Sequence, residues 1–215
     1  MDRGTDASAA MAGPVEEWAQ ALIHSRQTIL PKRLVAPGPD ARQLELILAA
    51  ASAAPDHGQL LPWRFVLVPE AARGALAMAF EQALLQRDPQ ATLAQRDQAR
   101  EKAFRAPLLL LAVLRRAAGD PPADAGTDAR EVPEAERILS AGCAIQNMLL
   151  MATALGFGSA LTSGKALQSP ALRTLFRLGP HELALTFISV GTPTQRKPAR
   201  PRPATTHFLS TLELP

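Results

Sequence analysis

Apolar residues return every three or four positions over residues 14–25 (PVEEWAQALIHS). Val15, Trp18, Ala19, Leu22 and Ile23 share one stripe there, which predicts an amphipathic helix with Pro14 in its first turn. A Pro-punctuated loop follows, SRQTILPKRLVAPGPD. Asp40 then opens a second helix, with Gln43 three positions on as in a capping box and Leu44, Ile47, Leu48 and Ala51 as its face. Residues 64–68 (RFVLV) read as a short strand, and 70–87 and 89–103 as two helices, the second rich in charge and so largely solvated. The run 107–114 (PLLLLAVL) is continuously apolar, as expected of a strand covered on both faces. Residues 115–131 are rich in Gly, Pro and Asp, and the length of this loop suggests a lid or a disordered insertion. The longest helix is predicted over 133–155. From Ile138 onward it is apolar nearly all round, as a buried central helix would be. Residues 159–162 read as a brief strand, Ser169-Pro170 as the start of a short helix, 183–190 (LALTFISV) as the last strong strand and 191–215 as a Pro-rich extended segment. Residues 1–13 read as a flexible tail, so the expectation is one domain over 14–215, with no repeat and no linker dividing it. About four strands with roughly five to seven helices, not in regular βαβ alternation, make an α+β fold.

Composition fits an ordinary globular domain: of 215 residues, 47% are hydrophobic and 20% charged. Aromatic residues are only 4%, with no tyrosine, which argues against a base-stacking nucleic-acid platform. The net charge of +3 is partly local, since QRKPARPRP (195–203) holds four cations and no acid. Such a tail suits a solvated or anion-capping role better than nucleic-acid binding. The single cysteine, Cys143, forms no internal disulfide, and its apolar helical setting fits a small buried hydrophobe. The four histidines show no ligand spacing, so no metal is expected. Ser140, Gln146, Asn147 and Thr153 interrupt the longest apolar run and argue against a membrane span, and no leader-like apolar segment opens the chain. A cytoplasmic protein is expected.

No GxGxxG fingerprint, phosphate loop of the GxxxxGK[ST] type or GxSxG elbow occurs. Three other segments concentrate polar chemistry. In HSRQT (24–28) a guanidinium stands beside a hydroxyl, a pairing suited to a phosphate dianion. In APDHGQLLPWRF (54–65) an acid, a histidine and an amide crowd one loop, while Trp63 reads as a core anchor. In the long helix, Gln146 and Asn147 would need a backbone or ligand partner if buried.

In order, SRQTILPK, APDHGQLLPWRF, SAGCAIQNMLLMATALGFGSAL and VGTPTQRKPARPRP resemble the FMN-dependent nitroreductase family, most of all its short YdjA-type branch, over about residues 14–203. The resemblance implies the nitroreductase fold: a mostly antiparallel sheet of about four to five strands surrounded by helices. It also implies a homodimer with one FMN at each of two interface sites. It places the FMN phosphate on Arg26 and Thr28 with Gln27 between them. It sets Pro55, Asp56, His57 and Gln59 on a loop approaching the flavin from the partner subunit. Ala160, Leu161 and Thr162 would flank the ring, and Arg200 and Arg202 would meet the phosphate. The implied activity is ping-pong transfer of two electrons from NAD(P)H through FMN to a nitroaromatic or quinone, with no side chain required as acid or base. A same-fold enzyme with another acceptor (an enone, a halogenated substrate, the flavin itself) stays open. So does a non-catalytic flavin- or nucleic-acid-binding protein. The chain departs from the family pattern where Gln59 replaces Asn, Leu61 replaces Gln, and Gln27 replaces Arg or His. These departures point to weaker FMN binding, or to greater reliance on the C-terminal arginines.

Overall fold

The computed structural model describes residues 6–116, 132–196, 198 and 201–214. Loop residues 117–131 and Arg200 therefore lie outside the described residues. Helices α1 (Asp6–Ser25), α2 (Ala41–Ala51), α3 (Arg73–Arg87), α4 (Leu93–Glu101), α5 (Glu134–Ala154) and α6 (Pro170–Leu175) surround five strands, β1 (Leu34–Val35), β2 (Trp63–Leu67), β3 (Leu108–Arg115), β4 (Gly158–Thr162) and β5 (Glu182–Pro193). The sheet is antiparallel in order β1-β5-β3-β2, with β4 also paired to β5.

Strand β3 organises the core. Its side chains alternate, and both sets are buried: Leu108, Leu110, Ala112 and Leu114 pack with α2 and α5, while Leu109, Leu111 and Val113 pack with α3 and α6. The continuous apolar run at 107–114 is thus explained by a strand with a helical layer on each face. Trp63 opens β2 opposite Leu114 and is buried in the first of these layers, the core-anchor role expected of it. The Asp40–Gln43 capping box is present in full: Gln43 N–H donates to Asp40 Oδ1 at 2.7 Å and Asp40 N–H to Gln43 Oε1 at 3.0 Å. Ser169 caps α6 by accepting from Leu172 N–H at 3.3 Å, with Pro170 in the first turn.

Several expectations need correction. Helix α1 begins at Asp6, inside the segment read as a tail, and runs through Pro14. Much of its apolar stripe is left uncovered by the described residues: Leu22 is half-buried, but Val15, Trp18 and Ile23 are exposed, Trp18 by 78%. Helix α5 is buried on one side only. Ile138 and Leu139 stay exposed, Leu139 by 68%, and Gln146 also faces outward, so it needs no buried partner. A hydrophobic circumference tells how much of a helix avoids water, not whether its own chain covers it. The charged segment 89–103 forms a shorter helix, α4, ending in a 3-10 turn at Lys102–Phe104. Strand β5 extends to Pro193, beyond the predicted 183–190. The two-residue strand β1 is too short for any sequence period to announce. No helix among the described residues is long and apolar enough to cross a membrane.

Candidate cofactor site

As the chain leaves α1, it lies down along β4. Thr28 bridges Ser159 in parallel fashion, and Ile29 N–H donates to Ser159 O at 2.9 Å. Ile29 is buried with Leu34 and Ala106 in a small satellite core. Gly158 makes this approach possible: a Cβ there would stand 2.9 Å from both Ile29 Cγ1 and Leu34 Cδ2, closer than packed carbons allow. The C-terminal segment crosses the same strap. Thr194 N–H donates to Arg33 O at 3.0 Å, and Arg202 Nη2 donates to Arg26 O at 3.3 Å.

These segments enclose a cavity of about 370 Å³ whose lining includes Arg26, Gln27, Thr28, Arg33, Gln195 and Arg202. Its lining holds three guanidiniums and no carboxylate, and none of the three is in an ion pair among the described residues. Forked cations beside a hydroxyl suit a dianion such as a phosphate monoester. Pro31, in the same strap, contributes to a second cavity of about 660 Å³. Leu109, Phe187 and Ser189 of the sheet form part of its floor, Phe80 and Leu84 of α3 and Gln95 and Gln98 of α4 part of its walls, and Thr162, Ser163 and Gly164 its lip. Arg87, Lys102 and Lys165 also line it without an ion-pair partner among the described residues. A space of this size, with an apolar floor and polar and cationic edges, suits a flat heteroaromatic ligand bearing acceptors on its rim.

The loop 54–65 is built differently. His57–Gln59 forms a 3-10 turn in which Gly58 has φ 66°, and two non-glycine residues also turn left-handed, Gln59 at 52° and Leu61 at 45°. Asp56 staples the turn: its backbone carbonyl accepts from Gln59 N–H at 3.2 Å and its Oδ2 from Leu61 N–H at 2.8 Å. His57 Nδ1 lies 2.8 Å from Glu136 Oε2 in the first turn of α5. Just past the loop, Arg64 donates through Nε and Nη2 to the two oxygens of Glu182, at 2.6 and 2.8 Å. Arg64 holds the Glu182 carboxyl well below the ordinary range, at about 2, with the Gly179 N–H as a further donor to it.

Arg26, Gln27, Thr28 and Arg202 thus meet in one cavity, and Thr162 reaches the lip of the other. Ala160 is buried in β4 and Leu161 is exposed beside it, and neither lines either of these two cavities. Pro55, Asp56, His57 and Gln59 line neither cavity of their own chain and stand exposed or half-exposed. Sequence reasoning missed Arg33, Lys102 and Lys165. The LPKR sequence at the end of the strap offered a signal for Arg33. Lys102 lay hidden among the charges of a solvated-looking helix.

The sequence model of the Nitroreductase family matches residues 23–192. A protein of Escherichia coli strain K12 named "Putative NAD(P)H nitroreductase YdjA" is 33% identical over 174 residues, covering 80% of this chain and 86% of that one. A Haemophilus influenzae protein whose name also reads NAD(P)H nitroreductase is 34% identical over 161 residues, covering 75% and 82% of the two chains. Among solved structures, the nitroreductase-like family protein from Bacillus cereus superposes with a TM-score of 0.71 at 18% identity, over 90% of this chain and 95% of its own. Iodotyrosine deiodinase, solved with FMN and 3-iodo-L-tyrosine, has a TM-score of 0.61 at 21% identity, over 86% and 95%. The sequence comparisons settle it, and the fold agrees: the chain belongs to the nitroreductase family.

Proposed function

We propose that the protein is an FMN-dependent NAD(P)H oxidoreductase that passes two electrons, by a ping-pong route, to a nitroaromatic or quinone acceptor, and that it works in the cytoplasm as a homodimer. One observation carries this reading: a carboxylate-free pocket of Arg26, Arg33, Arg202 and Thr28 shares its strap with a larger, flat-ligand cavity. The donor set fits FMN at both ends, and Arg26, Thr28, Arg33 and Arg202 would hold its phosphate. Thr162, Ser163, Gln98 and Lys102 would meet the polar rim of the ring system, whose apolar part would rest on Phe187 and Leu109. Bound there, FMN supplies a two-electron store for NAD(P)H to fill and an acceptor to empty. Around it the chain would orient the ring, exclude water, and offer cations to the negative charge that reduction brings. Those cations act in a partly enclosed space, where a charge interaction outweighs the same pair in water.

Two features support the dimer. Helices α1 and α5 lie side by side and leave Val15, Trp18, Ile23, Ile138 and Leu139 exposed. The loop of Asp56, His57 and Gln59, which faces neither cavity of its own chain, would then serve the cavity of the second copy. A free Cys143 with no disulfide partner suits a reducing compartment.

The reading is tested by reconstitution. Purified protein titrated with FMN should show a shifted yellow band and quenched flavin fluorescence, and should oxidise NAD(P)H when menadione or nitrofurazone is added. A chain that stays colourless and leaves flavin fluorescence unaltered ends the proposal. Arg26→Ala should weaken FMN binding by about tenfold to a hundredfold, the range for a charge-assisted hydrogen bond to phosphate. Unchanged affinity would remove Arg26 from the phosphate site.

A further inference from the structure

Helix α4 is attached to the rest of the chain by charge rather than by apolar packing. Of its nine residues only Ala99 is buried, and Leu93 points outward. A helix docked by hydrophobic burial shows one apolar stripe, whereas α4 shows two polar ones. On the first, Arg96 and Arg100 stand one turn apart and reach back to Glu81 of α3, whose side chain is almost fully buried. Arg96 Nε donates to Glu81 Oε1 at 2.5 Å and Arg100 Nη1 to Oε2 at 3.0 Å, so both carboxylate oxygens are engaged by α4. On the second, Gln95, Gln98, Ala99 and the adjoining Lys102 line the large cavity.

The two ends of α4 are held unequally. Just past its C-terminus Ala103 is fully buried, and the buried Arg73 donates to Ala103 O at 2.7 Å and to Pro107 O at 3.3 Å. Its N-terminus hangs from a turn closed by Ala91 N–H to Asp88 O at 3.1 Å, and its first turn is satisfied internally by the Thr92–Gln95 capping box. The helix is therefore anchored at one end and clasped at its middle.

We propose that Glu81 is a positioning residue for the cavity: it latches α4 as a hinged wall, and release of that latch admits and discharges the ligand. The ligand is FMN on the reading given above, and the inference rests on that reading for the identity of what passes. Glu81 itself does not line the cavity and acts through the placement of Gln98 and Lys102. A buried carboxylate is suited to this task. When α4 swings out, both Glu81 oxygens lose their guanidinium partners, and re-forming the two charge-assisted hydrogen bonds drives reclosure.

Amide hydrogen exchange on the full chain, with and without FMN, tests the latch, together with FMN release followed by the return of flavin fluorescence. Glu81→Gln keeps the shape and removes the charge. Exchange over residues 93–101 should accelerate by about tenfold, β3 and β5 should exchange as before, and FMN should leave faster by a similar factor. Glu81→Asp should restore part of both. Exchange in α4 that does not change, or that rises equally in β3 and β5, overturns the proposal, as does unaltered FMN release from a chain whose α4 has loosened. Should Glu81→Gln fail to fold, Arg100→Gln is read in the same way, with a smaller expected rise. A wild-type chain that takes up no FMN sinks the cofactor reading instead, and the exchange of α4 still decides the latch.

Discussion

Gln59 and Leu61 hold φ angles of 52° and 45°, a region that asks for glycine or asparagine. They are also two of the positions where the chain departs from the pattern of the family it resembles, and the usual residue at 59 is the asparagine that this backbone favours. Each departure stores about 1 kcal/mol or more of backbone strain, which the Asp56 staple and the Arg115 side chain on Leu61 O help to retain. Gln59→Asn should therefore stabilise the fold by roughly 0.5–1 kcal/mol, visible as a rise of a few degrees in Tm. No rise would show that Gln59 makes a compensating contact. The sequence marked this loop as special through its residue types. It could not disclose the left-handed turns, because a non-glycine residue with positive φ carries no local signal. The same blindness applies to Lys102: whether a cation faces solvent or a cavity is decided by helix packing, not by its neighbours along the chain.

Elements were legible where local and tertiary preferences agreed. The capping box fixed the start of α2, and the unbroken run of 107–114 foretold a strand between two helical layers. They were less legible on the apolar faces of α1 and α5, which the described residues leave exposed. The β2–β5 clasp belongs to this scale, since Arg64 and Glu182 join two strands that both flank β3. The folded Glu182 carboxyl titrates near 2, below its ordinary 4.5, so its contribution is complete above the ordinary value and disappears as pH falls toward 2. Urea midpoints of wild type and Glu182→Gln should converge over that window and separate above pH 5, with a gap of about 1.5–3 kcal/mol in stability. Parallel curves would show that the clasp adds nothing. Gly158→Ala should cost a comparable amount, roughly 1–3 kcal/mol, because a Cβ would push Ile29 and Leu34 off β4. FMN affinity should drop with it.

For the whole molecule, the uncovered faces of α1 and α5 make the homodimer the central prediction. Trp18→Glu together with Leu139→Glu should yield a monomer by sedimentation, with FMN binding weakened because the loop of the second copy is lost. A dimer that persists would move the interface elsewhere. The bridge between Thr28 and Ser159 has one more consequence. β4 pairs through Ser159 with Thr28, which lines the smaller cavity, and reaches the lip of the larger cavity at Thr162, three residues on, which at ~3.3 Å per residue is a span of roughly 10 Å. The strand is a ruler laid between two compartments and stiffened by its ladder to β5. On the proposed function, it would select ligands by the distance between their charged end and their flat end. Riboflavin, which has the plane without the anion, should be measured short and bind far more weakly than FMN.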